Sequence, residues 1–155
     1  MVQEPTRLDL ADQLARRCAE VMWSQDRASQ GLGMRLDDVG PGRSQLSMVV
    51  TEAMVNGHDV CHGGFVAALA DSAFAFACNT YDEVTVAAGF DITFLSPVKL
   101  GEEIVARARE VARRGRSGLY DVTVSRSRQD GAVVAEFRGR SRSLGRPLLG
   151  ARGVQ

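Results

Sequence analysis

Leu10, Leu14, Cys18, Val21 and Met22 recur at helical spacing behind Thr6 and Asp9, a pair three residues apart that reads as a capping box. This predicts an amphipathic helix ending before Gly31. The period then shortens to two. Leu32, Met34 and Leu36 alternate with smaller or polar residues, Gly40-Pro41-Gly42 makes a turn, and Leu46, Met48 and Val50 alternate again, so a hairpin is expected. No period holds from Thr51 to Cys61, a polar stretch with Asn56, Gly57, His58 and Asp59. From His62 to Asn79, Ala and Phe fall on nearly every side, the pattern of a helix wrapped by protein all round.

Beyond Glu83 the chain reads as strand. Phe90, Ile92 and Phe94 share a face before Ser96-Pro97, and Ile104, Ala106 and Ala108 open a further strand after Gly101. Leu119 to Ser125 follows the turn from Arg113 to Gly118, and Val133, Ala135 and Phe137 follow Gln129-Asp130-Gly131, whose Asp-Gly step is a hairpin signal. Four consecutive strands with short turns predict an antiparallel meander. Residues 1–144 are expected to form one domain, and the glycine-rich 145–155 a flexible tail. A helix that is apolar on all sides is best buried by a curved antiparallel sheet around it, so the expected class is α+β with the hotdog arrangement.

Composition narrows the partners. The 155 residues carry 19 basic and 19 acidic side chains, so no net field recruits nucleic acid or an anionic membrane. The apolar run from Gly63 to Cys78 is short for a membrane span and holds Asp71 at its middle. Three cysteines, Cys18, Cys61 and Cys78, lack the spacing of a disulfide framework and read as free thiols in a reducing compartment. Met1 to Thr6 shows no secretory pattern, so the expected location is cytoplasmic.

Two features of the predicted helix carry chemistry. Asp71 has Gly64, Ala67, Ala68, Phe74, Ala75 and Cys78 as helical neighbours, so its carboxylate stands in an apolar wall. Such a group has a raised pKa, a partner or a wet cleft; the structural alternative is a bond to Ser72 or a backbone amide. At His62-Gly63-Gly64, two glycines in the first turn leave backbone N–H groups unscreened where the helix dipole favours negative charge, the makings of an oxyanion hole. The alternative is that they merely ease a tight entry into the helix. Gly63 and Asp71 are eight positions apart, about 12 Å along a helix, too far to act on one carbonyl. Joint action requires a second, antiparallel helix from another subunit, giving two composite sites.

Competing constellations are weaker. His58 and His62 have metal-ligand spacing, but the helix starts at or after His62, so no metal site is expected. Cys61 beside His62 could be a nucleophile but lacks an orienting third group. Arg113, Arg114 and Arg116 could hold phosphates, although charged turns are usually just solvated.

The run from Asn56 to Gly64, the run from Leu69 to Asn79, and the later segments Phe90 to Pro97, Gly118 to Val122 and Phe137 to Ser141 together resemble the PaaI-type phenylacetyl-CoA thioesterases of the hotdog superfamily, across Gly31 to Leu144. The resemblance implies hydrolysis of phenylacetyl-CoA or hydroxyphenylacetyl-CoA, with coenzyme A as part of the substrate and no cofactor. It implies that Gly63 donates its N–H to the thioester carbonyl. Asp71 of the neighbouring subunit acts as nucleophile or general base, Asn56 positions the water or the carboxylate, and His62 orients the thioester or its loop. Human-type relatives use a serine on the following strand, where this chain has Ala87. The resemblance further implies a homodimer or a homotetramer built as a dimer of dimers. Gly64 would bind substrate, Phe65, Leu69 and Phe74 would enclose the acyl end, and Arg113, Arg114 and Arg116 would contact the phosphates. Hotdog folds also serve as catalytically silent acyl-CoA-binding modules, the alternative from another functional class.

Overall fold

A computed structural model describes residues 4–127 and 131–150. Helix α1 (Arg7–Trp23) starts as expected: Asp9 N–H donates to Thr6 Oγ1 at 3.2 Å and Thr6 N–H donates to Asp9 Oδ2 at 2.9 Å. It does not run on to Gly31. The carboxylate of Asp26 accepts from Ser29 N–H and Oγ and caps a separate short helix, α2 (Arg27–Gly31). The hairpin follows as β1 (Arg35–Gly40) and β2 (Arg43–Val49), with Gly42 at φ 68° in the turn. Helix α3 (Gly63–Cys78) is the long apolar one, and β3 (Thr85–Phe94), β4 (Glu103–Arg114), β5 (Ser117–Arg126) and β6 (Val133–Ser143) complete the chain.

All six strands join one antiparallel sheet in the order β1-β2-β4-β5-β6-β3. Only β4, β5 and β6 form a meander. The expected β3–β4 pairing is absent, because Ser96 to Gly101 crosses from β3, at the far edge beside β6, to β4 beside β2. Helix α3 packs on the inner face of the sheet, burying Val66, Leu69, Ala70, Ala73, Phe74 and Ala77 against Leu46, Met48, Ile104, Ala106, Val122, Val124 and Phe137. This is the hotdog arrangement.

Within one chain the sheet does not enclose α3 completely. Gly64, Ala67, Ala68, Asp71 and Ala75 fall on a stripe that is exposed or only half-buried. The expectation of burial on every side is therefore not met within this chain, where one face of the helix stays uncovered. Edge strand β3 likewise leaves Val86, Phe90 and Phe94 about half-exposed.

The C-terminal end of α3 is tied down tightly. Asn79 donates to the carbonyls of Ala75 and Thr85, both at 2.9 Å, and accepts from Thr85 N–H. The hydroxyls of Tyr81 and Tyr120 both donate to Glu110 Oε2, at 2.8 and 2.9 Å. Residues just beyond Leu144 are held as well: Val84 N–H donates to Arg146 O, and Leu148 and Leu149 N–H donate to Asp82 Oδ1. The tail expected from residue 145 therefore does not begin there; 151–155 lie outside the described residues. So do Gln129 and Asp130 of the predicted hairpin turn, although β5 and β6 pair as that turn requires.

Gly139 of β6 lies beneath the Phe74 ring, and a Cβ there would come 2.8 Å from it. Gly139→Ala is expected to destabilise the fold by about 1–3 kcal/mol through overpacking, read as a lower denaturant midpoint with an unchanged slope.

Candidate active site

The loop leading into α3 is built by one side chain. Asn56 Oδ1 accepts from His58 N–H at 3.0 Å and Val60 N–H at 3.3 Å, while Asn56 N–H donates to Val60 O and Val55 bridges to Cys61. Cys61 N–H then donates to Val98 O at 2.7 Å and His62 N–H to Met54 O at 2.8 Å, which fixes where the helix begins.

His62 is the N-cap. Its extended backbone precedes Gly63, and its Nδ1 accepts from Gly64 N–H at 3.0 Å. Of the two glycine N–H groups, Gly64's is thus already taken. Gly63's has no acceptor among the described residues, so one backbone donor remains for a ligand at the positive end of a helix about 24 Å long. The sequence singled out both glycines; the cap selects Gly63.

Asp71 has no hydrogen bond or ion pair among the described residues. The structural role weighed for it does not hold, since the Ser72 hydroxyl lies 2.8 Å from Ser29 Oγ instead. Burial pushes the Asp71 carboxyl above the usual carboxylate range, with no partner to bring it down. Gly63 and Asp71 do not meet in one chain, as two helical turns between them require.

The other predicted residues divide. Asn56 is exposed with its oxygen engaged in the loop and its amide nitrogen without a bonded partner among the described residues. Phe65 is half-buried and edge-on to the His62 ring, with centroids 6.3 Å apart. Phe74 departs from its assignment: it is fully buried between Tyr120 and Phe137, and Leu69 is buried with it, so within this chain both are core residues. Leu69 lies on the side of α3 opposite the exposed stripe, whereas Phe74, one turn from Asp71, borders the stripe and turns its ring into the core against Tyr120 and Phe137. Arg113, Arg114 and Arg116 lie at the far end of α3 from Gly63. The Arg113 guanidinium stacks 3.7 Å from the centre of the Tyr81 ring, and Arg116 O accepts from Ser143 N–H. No single chain brings them to the oxyanion position.

Cys61 does not have the depressed pKa of a helix-terminus nucleophile; burial raises it. His58 is exposed, and among the described residues no group of three or more His, Cys, Asp or Glu could hold a metal. No helix of the described residues is long and apolar enough to cross a membrane.

Sequence reasoning missed a cleft of about 370 Å³ beside Gly63, walled by the end of β3, Ser96 to Val98 and the first turn of α3. Its walls come from three separate segments, 60–66, 94–98 and Val134, so no local spacing signals it. A larger cleft of about 480 Å³ between α1 and β1 holds neither Gly63 nor Asp71.

Comparison with known proteins places the chain in a family. Residues 58–133 match the family model described as the thioesterase superfamily. The chain is 36% identical over 132 residues to the acyl-coenzyme A thioesterase PaaI of Escherichia coli, covering 85% of this chain and 93% of that protein. It is 31% identical over 105 residues to human acyl-coenzyme A thioesterase 13, covering 66% and 74%. The structure of the E. coli PaaI protein from the phenylacetic acid degradation operon superposes with a TM-score of 0.85 at 34% identity, over 88% of this chain and 98% of that one. A variant of the phenylacetic acid degradation protein PaaI from Thermus thermophilus superposes with a TM-score of 0.72 at 34% identity, over 77% and 100%.

The raised Asp71 pKa has a signed consequence for stability. The folded chain holds this proton more tightly than the unfolded one, so the charged carboxylate costs stability above the folded pKa and costs nothing below the unfolded value of about 3.9. Asp71→Asn is expected to melt at the same or a higher temperature at neutral pH, with the gain vanishing in acid. A variant that melts lower at neutral pH would show that the carboxylate is held by a stabilising partner.

Proposed function

This chain belongs to the thioesterase superfamily and is an acyl-CoA thioester hydrolase, and we propose that it cleaves phenylacetyl-CoA or hydroxyphenylacetyl-CoA to the free acid and CoA at sites shared between two subunits. The observation that carries the reading is the pairing on α3 of an unbonded Gly63 N–H with an unpartnered Asp71 carboxylate eight residues on, along a stripe of small side chains. The substrate class rests on the likeness to PaaI proteins.

In this mechanism the thioester carbonyl oxygen accepts from Gly63 N–H, which stabilises the tetrahedral oxyanion more than the ground-state carbonyl. Gly64 lets the thioester approach the helix end, and His62 holds that end in register by capping it. Asp71 of the neighbouring subunit attacks the carbonyl carbon or takes the proton of an attacking water. In either role it works ionised, and its raised pKa makes it a stronger base than an ordinary aspartate. The free amide nitrogen of Asn56 donates to that water or carboxylate. With Ala87 on β3, no hydroxyl at that position assists.

The stripe of small residues allows close approach of an antiparallel partner helix, and the apolar edge of β3 offers a continuation of the sheet. Such pairing brings the arginine turn of one subunit toward the Gly63 end of the other, where Arg113, Arg114 and Arg116 would meet the CoA phosphates. The assembly we propose is a homodimer further paired into a homotetramer, acting in the cytoplasm.

Asp71→Asn should retain phenylacetyl-CoA binding and lose turnover by at least about 100-fold, followed as free thiol release. Mixing Asp71→Asn with Gly63→Val should give heterodimers with one intact site of two, and activity should reappear. Verified heterodimers without activity would count against a shared site. Turnover also falls as pH drops through the Asp71 pKa, so the acid limb of kcat should lie above the ordinary aspartate value and be absent from Asp71→Asn.

A further inference from the structure

We propose that the cleft beside Gly63 is the acyl pocket and that Phe94, with Val66 and Val134, sets the size of acyl group accepted. This rests on the thioesterase reading above and replaces Leu69 and Phe74, which the core has claimed. The cleft holds about 370 Å³, at the small end of the range for ligand pockets, roughly 300–1,000 Å³. Gly63 is part of its wall, so a thioester whose carbonyl sits at the Gly63 N–H has one substituent directed here.

Chemistry decides which substituent. The arm of CoA carries two amides that need hydrogen-bond partners, and burying them unpaired is costly. Cys61, Val66, Phe94, Pro97 and Val134 supply apolar or weakly polar walls. Three backbone donors of this wall are already used, Cys61 N–H by Val98 O and Leu95 and Ser96 N–H by Val134 O, which leaves the Gly63 N–H for the thioester carbonyl. Ser96 Oγ accepts from Arg126, whose guanidinium also holds Pro97 O and Glu102 and so braces the lip of the cleft. An aryl group loses nothing in such a place; an amide chain does.

Phe94 is the adjustable wall. Its ring packs on Gly63 so closely that a Gly63 Cβ would come 2.9 Å from it, yet the side chain is about half-exposed. Trimming it enlarges the cleft without opening the core. Val66 and Val134, both buried, form the part that cannot yield.

The test compares kcat/KM of the wild type and Phe94→Ala for acetyl-CoA, phenylacetyl-CoA and naphthylacetyl-CoA. The variant should raise the naphthylacetyl-to-phenylacetyl ratio by about tenfold or more, within the range one pocket contact commands, and change acetyl-CoA least. With the oligomeric state of the variant verified as that of the wild type, an unchanged ratio, or an equal loss for all three, overturns the assignment. In parallel, wild-type Cys61 is alkylated under mildly alkaline conditions and followed by peptide mass spectrometry. A non-hydrolysable thioether analogue of phenylacetyl-CoA should slow labelling about tenfold at roughly ten times its Kd, whereas CoA alone should not. Equal protection by CoA overturns the assignment; if Cys61 is unreactive in the free protein, the kinetic comparison decides alone. Wild-type protein that hydrolyses none of the three thioesters would instead overturn the substrate reading, and the pocket with it.

Discussion

Helix α3 holds Gly63 and Asp71 eight residues apart, about 12 Å along its axis, and the proposed site is arranged around that separation. The helix cannot bend to close the distance, because both ends are fixed: His62 caps one, and Asn79 bonds across to Thr85 at the other. Between them Phe74 is seated over Gly139 and against Tyr120 and Phe137. A rigid rod with a donor at its tip and a carboxylate at its middle can serve one carbonyl only through a second copy. The uncovered stripe of small residues fits that requirement.

The same rigidity explains the division of labour around the helix. The face turned to the sheet takes the large residues, so Leu69 and Phe74 are spent on stability. The opposite face keeps Gly64, Ala67, Ala68 and Asp71, where a large side chain would keep a partner away. In the proposed site the substrate contacts therefore come from the ends. At the Gly63 end the crossover through Ser96 to Val98 closes an apolar cleft, and at the other end Arg113 stands over Tyr81. Fold and site share one helix without competing for the same side chains.

Where local chemistry was sufficient, the residues could be read directly. The capping box at Thr6 and Asp9, the hairpin across Gly42 and the start of the catalytic helix at Gly63 each depend on neighbours within a few positions, and each forms as expected. The break at Asp26 was missed because the apolar period stops at Met22, and the polar residues up to Gly31 carry no signal that separates a continuing helix from a second, newly capped one. The β3–β4 pairing was wrongly expected because adjacency in sequence is only a tendency for strands. Phe74 was misassigned because an apolar residue near a catalytic one reads the same in sequence whether it faces a pocket or a core.

The sequence by itself determined the family and singled out the candidate groups: a glycine pair at a helix start, and a carboxylate among small apolar neighbours eight positions on, too far along one helix to act on the same carbonyl. Only the tertiary structure decided which glycine N–H is free, since that depends on where the His62 ring turns. It also decided that Asp71 has no bonded partner among the described residues, that α3 leaves one face uncovered, and that the cleft at Gly63 is walled by residues from three separate segments. These depend on which groups are left over once the chain has satisfied its own hydrogen bonds and packed its own core, and that remainder exists only after folding.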